Sequence, residues 1–113
     1  MNISFDGMNQ WVATFAAAEA EEGQVVKMTD RATVGPCSDG EAFCGVVAVR
    51  RAEYACAVQL SGVVTVPYTD TVPAAGYTKL SADASGGVKS NESGREYLVL
   101  DADESAKTVT FVL

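Results

Sequence analysis

The chain contains no histidine at all, and that absence removes most familiar hydrolytic chemistry at once. Histidine is the usual general base near neutral pH and the partner that activates serine and cysteine nucleophiles. No serine stands in a G-x-S-x-G elbow either. Cysteine is scarce: Cys37, Cys44 and Cys56 are an odd number at spacings that fit no zinc pattern. Cys56 reads as a small core residue. Cys37 and Cys44 flank a loop and could pair if oxidised, with free thiols the expectation in a reducing cytoplasm. Gly35, Gly40, Gly45, Gly86 and Gly87 form neither a P-loop nor a dinucleotide fingerprint. The reading is a non-enzyme with no catalytic, cofactor-binding or metal residues.

Positive charge is also short. Eight basic residues stand against 15 acidic ones, for a net charge of −7. An acidic surface repels phosphate backbones, so we expect no nucleic-acid partner. Arg50-Arg51 is the single adjacent basic pair, and it reads as a solvated strand end rather than a phosphate contact. No apolar run approaches the length of a membrane span. The opening MNISFDGMNQW has no basic region followed by an apolar core, so we expect neither a secretory signal nor a membrane partner.

What is present suits a small globular protein. The chain is 48% hydrophobic over 113 residues, which reads as one β-rich domain, 1–113. A chain of this size buries roughly 60–70% of its unfolded surface on folding, so its core needs no disulfide or metal. The organising stretch is Tyr54 to Pro67, YACAVQLSGVVTVP. At period two, Cys56, Val58, Leu60, Gly62, Val64 and Val66 share one face, and smaller or polar residues share the other. A hairpin turn at Ser61-Gly62 would mix the two faces. One long strand bent at Gly62 keeps them sorted, with Pro67 ending the ladder.

Other strands follow from alternation and turn signals. Gln10 to Glu22 is ambiguous: Ala16–Glu22 favours helix, whereas Trp11, Ala13 and Phe15 alternate with Val12 and Thr14. We read a strand at 10–16 followed by an acidic loop. Further strands are expected at Val25–Met28, Phe43–Val49, Tyr77–Leu80, Val88–Ser90, Glu96–Leu100 and Lys107–Leu113. Phe43–Val49 is apolar almost throughout, as a strand covered on both faces would be. Thr29 to Gly40 and Arg50 to Glu53 read as connections. No internal repeat or linker is visible. Many short strands at this spacing define an all-β class: a small single-domain β-barrel or sandwich of short, mostly antiparallel strands.

Two acidic groups, Glu19/Glu21/Glu22 and Asp101/Asp103/Glu104, could attract a cation, yet neither matches a twelve-residue calcium loop, and both read as solvated charge. Paired carboxylates could serve glycoside hydrolysis, but nothing supplies an aromatic-lined cleft. Trp11, Tyr54, Tyr68, Tyr77 and Tyr97 are divided between two roles, barrel core and exposed contact patch.

Several stretches, taken in order, resemble the small decoration (cement) proteins of tailed-phage and prophage capsids. They are Gly23-Gln24-Val25-Val26, Phe43-Cys44-Gly45-Val46-Val47, and AVQLSGVVTVPY from Ala57 to Tyr68. The turn Asp83-Ala84-Ser85-Gly86-Gly87-Val88, SGREYLVLD from Ser93 to Asp101, and the terminal TVTFVL complete the pattern. The resemblance implies a compact β-rich protein made in the bacterial cytoplasm and located on the virion. It would bind the major capsid protein on the outside of an assembled head and reinforce it, as a homo-oligomer such as a trimer. It carries no catalytic residues. Two other roles remain open at this point: a small ligand- or calcium-binding β-barrel of the bacterial cell, and a head-fibre or tail subunit.

Overall fold

A computed structural model describes residues 11–113, and the fold over that range is all-β. Ten strands follow one another: β1 (Trp11–Ala16), β2 (Val25–Asp30), β3 (Thr33–Pro36), β4 (Gly45–Ala52) and β5 (Ala55–Ser61) form the first half. The second half holds β6 (Val63–Pro67), β7 (Gly76–Ala82), β8 (Val88–Ser90), β9 (Arg95–Asp103) and β10 (Thr108–Val112). The first five close into a barrel in the order β1-β3-β2-β4-β5, with β5 returning to β1. The last five form a sheet in the order β6-β10-β9-β7-β8.

Gly62 alone joins the two sheets. Its φ of +101° is open to glycine and strongly unfavourable for residues with a Cβ. The expected bend at Gly62 is present, but the single long strand is not. β5 pairs with β1 and β4, β6 pairs with β10, and β5 and β6 belong to different sheets. The face assignment survives the break for Cys56, Val58, Val64 and Val66, all buried. Leu60 departs from it, because it sits beside the sheet switch and is exposed.

The two halves share one connectivity, a repeat invisible in the sequence. β8 meets the end of β6 through a parallel bridge between Tyr68 and Val88, with the Thr69 amide donating to the Val88 carbonyl at 3.0 Å. Read from β6 in that direction, the second ring runs β6-β8-β7-β9-β10, which matches β1-β3-β2-β4-β5 strand for strand. The closing contact of the first ring is also parallel, between Ala16 and Thr33, with the Ala16 amide donating to the Ala32 carbonyl at 2.8 Å. Cross-strand pairs correspond as well. Ala13 opposite Val58 becomes Val64 opposite Phe111, and Val25 opposite Val46 becomes Tyr77 opposite Leu98.

Each half has its own interior, and the second interior also takes in part of the first half. Val26, Val34, Val47, Cys56 and Val58 fill the barrel under Ala17 and Ala20. Val64, Val66, Leu80, Val88, Tyr97, Val99, Val109 and Phe111 fill the second half together with Val25, Cys37, Phe43 and Val46 of the first. Phe43 stacks on Tyr97 at 5.1 Å between ring centroids and meets Phe111 edge-on at 6.0 Å. This aromatic group locks the halves together, a geometry that adds to plain area burial.

Most strand readings hold, the strand at 10–16 among them, and two need correction. The segment 10–16 is a strand, not a helix, over its described residues 11–16; residue 10 lies outside the described range. Thr29–Gly40 is not all connection, because Thr33–Pro36 pairs with β2. β4 starts later and runs further than expected, to Ala52, leaving the turn at Glu53–Tyr54. Among its described residues it is buried only at Gly45, Val46 and Val47. After a register shift at Val47/Val49 its Ala48 and Val49 are exposed.

Candidate interaction surface

The thiols are poorly placed for chemistry. Cys37, Cys44 and Cys56 are free; Cys37 and Cys56 are buried and Cys44 is partly buried. Burial pushes the Cys37 thiol up to about 11, and the nearby Glu41 carboxylate adds to that shift. Burial also raises Cys44, and it raises Cys56 against the opposing effect of Arg50. A thiol held protonated at neutral pH is a weak nucleophile. Cys37 follows β3 and Cys44 precedes β4, and β2 runs between those two strands.

In the second acidic group Asp101 and Asp103 act as acceptors for backbone amides. Asp103 Oδ1 accepts the Ser105 and Ala106 amides at 2.9 and 3.1 Å, and Asp101 Oδ1 accepts the Ala102 amide at 2.9 Å. Among the described residues, no three Cys, Asp or Glu side chains are grouped to hold a metal ion. Two carboxylates pair with lysines: Glu41 with Lys27 at 2.7 Å and Asp39 with Lys89 at 2.8 Å. The Lys27 hydrogen bond, helped by the Ser38 amide, holds the Glu41 carboxyl below its ordinary value. The Asp39 hydrogen bond likewise raises Lys89.

Arg50 is neither a solvated strand end nor a phosphate contact. Its Nη1 donates to the Ala20 carbonyl at 2.6 Å, and its Nη2 reaches the Ala18 and Ala17 carbonyls at 3.2 and 3.4 Å and the Glu53 carbonyl. The guanidinium fork thus ties the acidic 17–22 loop over the barrel end, a geometry a lysine ammonium cannot reproduce. Arg51, by contrast, is exposed.

The aromatic residues divide cleanly. Tyr68 and Tyr97 are core, at 5% and 4% exposure, whereas Trp11, Tyr54 and Tyr77 stand out at 71%, 65% and 72%. Trp11 opens β1 and Tyr54 sits in the turn between β4 and β5. Cross-strand partners lie on one face of a sheet, so the rows can be read from the register. Val12 lies opposite Gln59 and Gln59 opposite Val46; Thr14 lies opposite Ala57 and Ala57 opposite Val49; Ala16 lies opposite Ala55. These paired rows contain no charged residue, although Arg51, exposed and skipped by the register shift, stands two residues beyond Val49, and Ala57 between Thr14 and Val49 is buried. Val12 and Val49 are 50% and 45% exposed on this face.

The second half carries a corresponding row. Val63, Val112, Leu98 and Tyr77 are successive partners across β6, β10, β9 and β7, and they too are uncharged. Beside Tyr77 an open groove of about 380 Å³ is lined by Lys79, Ser90, Asn91, Glu92 and Glu96, two acidic residues against one basic. Lys79 and Glu96 are themselves cross-strand partners of opposite sign.

Sequence reasoning proposed the exposed aromatics but could not separate Trp11, Tyr54 and Tyr77 from Tyr68 and Tyr97. It missed Val12 and Val49. The signal available was the clean alternation of β1, which puts Val12 and Thr14 opposite the inward Ala13 and Phe15. Compared with known proteins, the chain matches no family model and no curated protein.

Proposed function

We propose that this chain is a non-enzymatic virion structural protein that binds the outside of a phage or prophage capsid and stabilises it. The observation that carries this reading is the exposure of Val12, Thr14 and Val49 in uncharged cross-strand rows of β1, β5 and β4, with Arg51 exposed two residues beyond Val49 on β4. Exposed apolar surface of this kind marks a protein-binding site more often than a catalytic one. A capsid offers many identical sites, so a modest affinity per contact is multiplied when the bound protein is an oligomer. The acidic remainder of the surface keeps free copies soluble before they meet the shell. The residue order that resembles capsid cement proteins, from Gly23 through Leu113, points the same way, with the major capsid protein as partner.

The test uses purified protein and shells from which decoration has been stripped. Cosedimentation that saturates at a fixed number of copies per capsid subunit, with shells that resist heating better, supports the reading. Absence of cosedimentation, together with a saturable thermal shift on adding calcium or a metabolite, would replace it with a ligand-binding barrel.

A further inference from the structure

One edge of the second sheet has no partner, and the first half shows what such an edge takes. β8 pairs with β7 only over Leu80, Ser81 and Ala82, and the Asn91 amide adds one bond to the Lys79 carbonyl at 3.1 Å. Before that point β7 is paired with β9 alone, from Gly76 to Thr78. Backbone groups two residues apart along a strand point the same way, so the N–H and C=O of Tyr77, like those of Lys79, face away from β9. Among the described residues no strand, turn or loop bonds Tyr77 on that side. The repeat places Val25 and Lys27 where Tyr77 and Lys79 stand. There the edge is filled. Gly35 of β3 lies opposite Lys27, and beyond the end of β3 the Val25 amide donates to the Gly86 carbonyl at 2.9 Å. That carbonyl belongs to the 83–88 turn of the other half, a stretch remote in sequence laid against the edge.

We infer that the open edge of β7 at Tyr77 binds an extended segment of another polypeptide by strand addition, with a lysine or arginine of that segment opposite Tyr77. An unpaired strand edge offers main-chain hydrogen bonds to any extended chain, and the surface beside it selects the side chains. Tyr77 is 72% exposed, and the residue opposite it in an added strand stands on the same face, within cross-strand reach of the ring. The groove beside Tyr77 is lined by Glu92 and Glu96 against Lys79 alone. Its net negative charge and the tyrosine ring both favour a cation at that place. The same charge disfavours a second copy of this chain, which would bring a further −7 to the edge. Strand addition here holds whether or not the chain decorates a capsid, because it depends only on the open backbone and the groove.

The probe is a randomised library of end-blocked octapeptides selected on the wild-type chain. Selected peptides are expected to share a lysine or arginine at one position. The tightest binder is then followed by amide hydrogen exchange, where the Tyr77 amide is expected to exchange rapidly in the free chain and to be protected in the complex. Alternate peptide nitrogens face an edge, so methylating one alternate set is expected to abolish binding and methylating the other to leave it intact. Tyr77→Pro removes the N–H on the free side, where a strand tolerates proline, and is expected to abolish binding as well. The methylation arm uses the wild-type chain alone and stands if that variant does not fold. Glu92→Gln is expected to weaken binding about two- to fivefold, the size of one exposed charge pair. A Tyr77 amide already protected in the free chain overturns the inference. So does a library that yields no binder, or a binder indifferent to methylation of both sets. Shifts of the Tyr77 and Asn91 resonances with maltohexaose, and none with peptide, would assign the groove to sugars instead.

Discussion

Placing a methyl group on Gly62 tests the joint between the two halves. The residue has φ +101°, and its carbonyl accepts the Leu113 amide at 2.9 Å, so it cannot rotate freely to relieve strain. An L-residue forced to positive φ costs about 1–3 kcal/mol, and a β-branched one lies at the upper end. For a chain of this size, 1 kcal/mol shifts the melting temperature by roughly 4 °C, so Gly62→Ala should lower it by ~4–12 °C. Urea unfolding followed by far-UV circular dichroism should show a lower midpoint with an unchanged slope. D-alanine at position 62, introduced by ligation, serves as the control. Its Cβ suits positive φ, so it should be neutral or stabilising through the unfolded chain. If Gly62→Ala matched the wild type within about 0.3 kcal/mol, an error typical of additive comparisons, the claim that backbone conformation fixes this residue would be wrong.

Three further outcomes follow from the packing and the charges. Phe43→Ala removes the first half's ring from the stack with Tyr97 and Phe111 and should cost about 3–5 kcal/mol by equilibrium unfolding, with Phe43→Leu recovering much of it. Arg50→Lys should destabilise by about 1.5–3 kcal/mol, because one ammonium cannot serve the Ala17, Ala18, Ala20 and Glu53 carbonyls together. The Cys37 thiol has an ordinary value of 9.0 and is pushed up to about 11 in the fold, so the unfolded chain loses the proton first. Stability contributed by the protonated thiol is therefore whole below pH 9 and falls between pH 9 and 11. The slope is at most ~1.4 kcal/mol per pH unit, and Cys37→Ala should flatten that part of the urea-midpoint profile.

Much of the architecture is legible because local patterns agree with it. In β10, Val109 and Phe111 alternate with Thr108 and Thr110, and the first pair is buried while the second is half-exposed. In β1 the alternation of Trp11, Ala13 and Phe15 outweighs the helix propensity of the alanines that follow, which instead form the loop held by Arg50. The hidden strand is β3: Thr33–Pro36 carries a glycine and a proline in four residues, and composition alone makes that a turn. Pro36 is tolerated as the last residue of a short strand, where no further ladder amide is needed. The repeat is hidden for a different reason. Corresponding positions share a place in the ring and not a residue type, as Val25 and Tyr77 or Val58 and Phe111 show. Burial of Val25 and Val46 on the outside of the barrel depends on the second half lying over them, which no local pattern encodes. The candidate surface was half legible, since its aromatics could be named but their exposure is set by tertiary packing.

The central claim is that this chain belongs to a capsid. Prophage induction in the source cells, density-gradient banding of the released particles and quantitative mass spectrometry of the bands address it directly. The account predicts the chain in the particle band, at a simple ratio to the major capsid protein and accessible to protease on intact heads. A chain abundant in the cell yet absent from the particles would contradict it.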